Sequence, residues 1–280
     1  MASIFGLLAR STVAYLLESA FMTGLPSLAL FQFVLFLAPL IDVVLLPQKP
    51  VAPTYLRDLL FSSQLYLYAG FMFLPTVAFS LGTTQHRLLS LILARSAAPL
   101  MLLVREEYRS RLNVLFSLAC FALTYLSVAP LLFNTVIDME SLGVHALLYA
   151  STACFVAFSI IEQRVGQMRM ETTALAAIVA ATNTNFADAL QSTKWLECLF
   201  VGGVAWFNSR TLCNLKERLD NNAMASVIIM VFLQSVRHAL VLSLAMGQYT
   251  LALVVCTVIF LCIRMLFAVQ NEIDETPTEN

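Results

Sequence analysis

Charged residues are scarce in this chain. Lys, Arg, Asp and Glu together make up 12% of its 280 residues, whereas 60% are hydrophobic and the mean hydropathy is +0.83. A soluble domain of this size carries about a quarter of its residues as charges, because its surface must be solvated. Long uncharged stretches such as 221–236 and 239–263 offer no such surface. The composition therefore predicts a polytopic membrane protein that has the lipid bilayer as a partner.

The chain also lacks the residue clusters that metal and catalytic chemistry require. Its three histidines are scattered, and its six cysteines show no CxxC spacing. Metal sites and nucleophile motifs both need such groups at short, regular intervals. We therefore expect no metal, no cofactor, no catalytic residues and no enzyme, with an intramembrane enzyme or channel kept as a rival interpretation. Basic residues form no run, so no nucleic-acid partner is expected.

Apolar runs, divided at turn formers and charges, predict an all-α protein with ten membrane helices. Each run is close to the ~20 residues that a helix needs to cross about 30 Å of hydrocarbon. The predicted spans are 3–19, 24–46, 58–82, 84–104, 111–134, 141–163, 172–191, 195–216, 221–246 and 248–269. Residues 1–270 are thus one transmembrane domain, and the acidic segment 271–280 is predicted to be a disordered cytosolic tail.

Basic residues in alternate loops predict the orientation. With a cytosolic N-terminus, nine of them lie in cytosolic loops and two on the opposite side. Because positively charged loops stay in the cytosol, this asymmetry favours ten spans with both termini cytosolic. The acidic loop near 134–141 divides the spans into halves of about 1–136 and 137–270. An odd number of helices in each half makes the halves inverted, as in inverted-repeat transporters.

Arginines remain inside the predicted spans, where each costs several kcal/mol unless it is paired, solvated or able to snorkel. Those more than four residues from either end of a span are Arg10, Arg95, Arg210, Arg237 and Arg264. For Arg10 and Arg264 the nearby span end permits snorkelling, and Arg10 could instead pair with Glu18, two turns along the same helix face. Arg95, followed by Ser96, and Arg237, preceded by Gln234, lie deeper. Interhelical ion pairs would explain both; alternatively, a cavity receives them and they bind an anion, phosphate above all.

Amides and aromatic side chains form a further polar set. Asn183 and Asn185 lie in the predicted seventh span, and Asn208 lies in the eighth. Buried amides are tolerated in lipid when they hydrogen-bond between helices, so they either hold helices together or bind the hydroxyls of a sugar. Tyr66 could stack on a planar base, or it could serve as a packing or interface residue.

Five segments carry a resemblance to a known family. They are LPSLALFQF (25–33), ARSAAPLMLLVREEYRS (94–110), IDMESLGVHALLYASTACFVAFSIIEQRV (137–165), VGGVAWFNSRTLC (201–213) and NNAMASVIIMVFLQSVRHALVLSLAMGQYT (221–250). In this order they resemble the nucleotide-sugar transporter branch of the drug/metabolite transporter superfamily. Ser235 stands where that family has a phosphate-facing lysine, and the nearest cation is Arg237.

The resemblance implies ten helices with cytosolic termini in the Golgi or endoplasmic reticulum membrane. It further implies exchange of a cytosolic nucleotide sugar for a lumenal nucleoside monophosphate, without metal or ATP. Arg95 and Arg237 would then neutralise phosphate, while the substrate's sugar and base contact the other candidate residues: Ser96, Tyr66, Asn183, Asn185, Asn208 and Gln234. The alternative is a multi-pass scaffold or subunit of a membrane complex that does not transport, and a homodimer is possible in either case.

Overall fold

The structure of the chain, a computed structural model, describes residues 3–22, 60–81, 84–133, 139–165, 195–245 and 247–275. These residues form helices joined by short turns, with no strand among them, which confirms the all-α class. The elements are α1 (Ile4–Met22), α2 (Ser63–Ser80), α3 (Thr84–Ser96), α4 (Ala98–Leu102), a 3₁₀ turn (Glu106–Tyr108), α5 (Arg111–Phe133), α6 (Met139–Val165), α7 (Trp195–Arg218), α8 (Ala223–Met230), a π segment (Val231–Val236), α9 (Arg237–Ala245) and α10 (Tyr249–Glu275).

Helices occupy the positions that the apolar runs predict wherever the chain is described. The predicted fourth span comprises α3 and α4, and the ninth comprises α8, the π segment and α9. Three stretches are long and apolar enough to cross a membrane: Arg111–Ala129, Ser141–Gln163 and Tyr249–Glu275. The predicted second and seventh spans, 24–46 and 172–191, lie outside the described residues. The count of ten crossings and the cytosolic termini stay predictions.

The predicted tail requires a correction at its beginning. α10 continues to Glu275, so residues 271–275 are helical and not part of a disordered tail. The acidic composition of this segment suggested disorder, but glutamate is a good helix former and no helix breaker occurs before Pro277. Residues 276–280 lie outside the described part.

The chain divides into two compact units, and each joins segments that are distant in sequence. The first unit contains Met1–Thr76 and Val165–Arg218, and the second contains Val77–Arg164 and Leu219–Asn280. Each unit therefore combines residues from both predicted halves, 1–136 and 137–270. The inverted relation of those halves stays a prediction.

The described core of the first unit is the packing of α1 against α7. In the second unit, α3 packs against α5, the π segment and α9, while α10 packs against α5, α8 and α9. Fully buried Ala94 of α3 and Leu148 of α6 belong to one apolar cluster, which also joins α3 to α6. α3 is therefore in contact with most of the helices of the second unit.

The side chain of Gln163 connects three structural elements of the second unit. The Tyr108 hydroxyl in the 3₁₀ turn donates to Gln163 Oε1 over 2.6 Å, and the backbone N–H of Ala223 donates to the same oxygen over 3.0 Å. The end of α6, the charged turn after α4 and the beginning of α8 thus lie at one end of this unit. The N–H of Ala223 is one of the groups that the start of a helix leaves without an intrahelical acceptor, and Gln163 supplies that acceptor.

Candidate functional site

Arg95 lies at the centre of the candidate site. Its side chain is only 2% exposed, although it carries a guanidinium group. Nη2 donates a hydrogen bond to Ser151 Oγ over 2.9 Å, and Nη1 donates to Thr152 Oγ1 over 3.2 Å. Both acceptors lie on α6 and both are neutral. These two bonds orient the guanidinium plane without cancelling its charge.

The helix that carries Arg95 is interrupted directly after it. α3 ends at Ser96 and α4 begins at Ala98, with Pro99 in its first turn. Proline has no backbone N–H, so it cannot donate to the carbonyl four residues earlier, which is that of Arg95. The Ser96 hydroxyl donates to the Leu93 carbonyl over 2.8 Å. Arg95 therefore carries both the charged side chain and a carbonyl that receives no helical hydrogen bond from residue 99.

The face of α6 towards α3 carries further hydrogen-bonding groups. His145 Nδ1 lies 2.8 Å from the carbonyl of Ser141, and Nε2 lies 3.3 Å from Ser90 Oγ on α3. A carbonyl only accepts, so Nδ1 must carry the hydrogen, and Nε2 of the neutral ring then accepts from the Ser90 hydroxyl. The α3–α6 interface therefore has polar contacts at two positions along the helices, one at Ser90 and one at Arg95.

Arg237 lies at a second helix interruption. The π segment ends at Val236, and the backbone N–H of Arg237 donates to the carbonyl of Phe232, five residues earlier. The Arg237 side chain is 4% exposed, and its guanidinium carbon lies 5.5 Å from the centre of the Phe232 ring. A buried cation over an aromatic face is stabilised by about 2 kcal/mol. Short π segments occur frequently at functional sites, because they displace the side chains of one helical turn.

The remaining predicted site residues have different surroundings. Asn208 on α7 accepts a hydrogen bond from the Ser11 hydroxyl on α1 over 2.7 Å, within the first unit. Tyr66 on α2 is 63% exposed. Asn183 and Asn185 lie outside the described residues, and Gln234 belongs to the π segment, with its side chain outside the described part. The structure thus brings α3, with Arg95 and Ser96, against the element that precedes Arg237. A substrate-binding role for any of these residues stays a prediction.

Sequence reasoning did not select the partners of Arg95. Ser151, Thr152 and His145 are buried or half-buried on α6, and Ser159 lies fully buried on the same helix. A usable signal existed, because residues 145, 152 and 159 recur at intervals of seven and therefore share one helical face. That repeat predicts a polar face, but it does not identify which helix the face contacts.

Within the described residues, no group of three or more His, Cys, Asp or Glu side chains could hold a metal ion. The described site is therefore built from guanidinium, hydroxyl and imidazole groups. Such groups orient anions and hydroxyl-bearing molecules by hydrogen bonding.

Comparison with known proteins shows the fold only. No protein-family model matches the chain, and no curated protein matches it. Among solved structures, the crystal structure of a protein with 15% sequence identity is similar with a TM-score of 0.57, over 96% of this chain and 96% of that one. The fold thus extends over nearly the whole length of both chains.

Proposed function

We propose that this chain is a membrane solute transporter of the Golgi or endoplasmic reticulum that exchanges a nucleotide sugar for a nucleoside monophosphate. The observation that carries the proposal is that two buried arginines lie at interruptions of two helices in contact. Arg95 precedes the interruption between α3 and α4, and Arg237 follows the π segment, against which α3 packs. In transporters, interrupted helices at membrane depth line the substrate cavity, because the backbone groups that they release need polar partners.

The positions of the two interruptions support the same proposal. If the halves are inverted repeats of five helices, the fourth span corresponds to the ninth. The interruption at Ala97 lies in the fourth predicted span, and the π segment lies in the ninth. In transporters with inverted repeats, interrupted helices at corresponding positions of the two halves form the substrate site.

The chemistry of the two arginines fits a phosphorylated substrate. A guanidinium group offers parallel N–H donors that match two oxygens of one phosphate, and it remains charged at every physiological pH. Ser151 and Thr152 already orient Arg95, so less conformational freedom is lost when an anion binds. A buried cation is costly in hydrocarbon, and an anionic substrate lowers that cost while it is bound.

Exchange in proteoliposomes tests the proposal. Purified protein is reconstituted with an internal nucleoside monophosphate, and uptake is measured for a panel of radiolabelled nucleotide sugars. Uptake of at least one, dependent on the internal monophosphate, is expected. Arg95→Gln and Arg237→Gln should each lower exchange about 10- to 100-fold, since a hydrogen bond to a charged group contributes about 1.5–3 kcal/mol. Arg264→Gln, an exposed arginine on α10, is the matched control and should leave exchange unchanged.

A second candidate function is a scaffold that does not transport. The bond between Ser11 and Asn208 favours it, because it uses a predicted substrate ligand to join α1 to α7. The same assay separates the two functions. A scaffold takes up none of the panel above protein-free vesicles, and its Arg95→Gln variant changes stability but no flux.

A further inference from the structure

The first unit contains a groove that the proposed transport does not use. It lies between α1 and α7 and has a volume of about 610 Å³, within the range of about 300–1,000 Å³ that is usual for small-molecule sites. Val13 and Leu17 line it from α1, and Phe200 and Phe207 line it from α7. These four side chains are 44–58% exposed, so the walls are apolar and open.

One end of this α1–α7 groove is charged. Among the lining residues that the structure describes, Arg10 is the charged one, and its side chain is exposed. It lies about 9 Å along α1 from Ile4, within reach of the membrane interface for a side chain that snorkels. The groove therefore has a cation at one end and hydrocarbon walls along the rest of its length.

The groove has free space beside Gly203. A Cβ atom added to Gly203 of α7 would meet no heavy atom within 4 Å. The absence of a side chain at this position thus widens the groove without bringing the two backbones into closer contact. A substrate such as a sugar would need hydrogen-bonding groups along its whole length, and the walls of Val13, Leu17 and Phe200 offer none.

We propose that the α1–α7 groove binds an anionic glycerophospholipid, with the phosphate at Arg10 and one acyl chain against the apolar walls. Charge complementarity selects this occupant, because the ligand must be hydrocarbon along the walls and anionic at one end. A basic residue near a membrane surface contributes about 1 kcal/mol to the binding of anionic lipid. This inference does not depend on whether the chain transports a nucleotide sugar.

Native mass spectrometry of the full-length protein in mild detergent tests the site. Phosphatidylserine and phosphatidylinositol should remain bound at lower lipid concentrations than phosphatidylcholine does. Arg10→Gln should lower retention of the anionic lipids about fivefold, the factor that corresponds to the loss of one interfacial charge. Gly203→Leu should lower retention about tenfold by filling the groove. Gly143→Leu on α6, where an added Cβ also meets open space, is the matched control and should retain lipid as the wild type does.

Two results with these variants would overturn the proposal. One is equal retention of phosphatidylcholine and the anionic lipids, and the other is unchanged retention by Gly203→Leu. If Gly203→Leu with unchanged retention also converts a dimer to a monomer, a second copy of the chain occupies the groove instead. A photoreactive phosphatidylserine added to the wild type gives a test that needs no variant. Its adducts should map to peptides of α1 and α7, and adducts confined to other helices would refute the site.

Discussion

The junction at Gln163 gives a prediction whose magnitude follows directly from the structure. One oxygen of this side chain accepts from the Tyr108 hydroxyl over 2.6 Å and from the Ala223 N–H over 3.0 Å. Gln163→Leu keeps the approximate volume and removes both bonds. Each ordinary hydrogen bond contributes about 0.5–1.5 kcal/mol, so the free energy of unfolding should fall by about 1–3 kcal/mol. Tyr108→Phe removes one bond and should cost about 1 kcal/mol.

A double-mutant cycle isolates the bond between the two side chains. In the Gln163→Leu background the Tyr108 hydroxyl has lost this acceptor, so Tyr108→Phe should have almost no further effect. The coupling energy is therefore about 1 kcal/mol. The measurement is equilibrium unfolding in detergent micelles, followed by circular dichroism during titration with a denaturing detergent. Gln270→Leu on α10 changes the same chemical group at a half-buried position and serves as the control.

The result that would refute this reasoning is additivity. If Tyr108→Phe costs the same free energy in both backgrounds, the bond between the two side chains contributes nothing. If Gln270→Leu lowers the free energy of unfolding as much as Gln163→Leu does, the loss of stability is not specific to the two hydrogen bonds of Gln163.

Two further predictions concern the turn before α8 and use the same unfolding titration. Asn222 caps α8 by accepting from the N–H groups of Met224 and Ala225 over 2.9 and 3.3 Å, so Asn222→Ala should cost about 1 kcal/mol, and an unchanged unfolding midpoint would contradict this role. Asp220 has a left-handed backbone with φ of 54°, so Asp220→Gly should raise the free energy of unfolding by up to about 1 kcal/mol. A loss of stability in that variant would show that the Asp220 side chain outweighs the backbone strain.

Helix positions could be predicted from the sequence because long apolar runs are typical of helices, which satisfy their backbone hydrogen bonds internally. A run of about 20 apolar residues must satisfy its own hydrogen bonds, and α5 accordingly begins and ends within a residue of the predicted 111–134. The prediction that residues 271–275 are disordered was wrong, because the apolar run has ended before them and gives no information about their structure. In residues 271–275, local helix propensity outweighs the acidic composition.

The two interruptions differ in how far the sequence predicts them. Pro99 is visible in the sequence and indicates a break in the fourth span, as the structure has it at Ala97. The π segment VFLQSV contains neither proline nor glycine, so no local signal marks it. The segment packs against α3, α8 and α10, and contacts with distant elements cannot be read from one window of sequence. The partners of Arg95 were missed for the same reason, since Ser151 and Thr152 lie 56 and 57 residues away in the chain.

The described polar contacts of the first unit join neutral side chains, whereas those of the second unit include buried arginines. This difference indicates which residues matter most for the proposed transport. In the first unit, Ser11 and Asn208 are neutral and bond each other across α1 and α7. Bonds of this type contribute about 0.6 kcal/mol on average between membrane helices, and apolar residues can replace them at little cost. In the second unit, Arg95 and Arg237 are buried cations beside interrupted helices, and each cation is expensive to keep in hydrocarbon. Asn208 forms a neutral contact between two helices, whereas Arg95 and Arg237 bring charged groups into the interior of the second unit. The arginines of the second unit are therefore the residues on which the transport proposal depends, and a substrate-binding role for Asn208 stays a prediction.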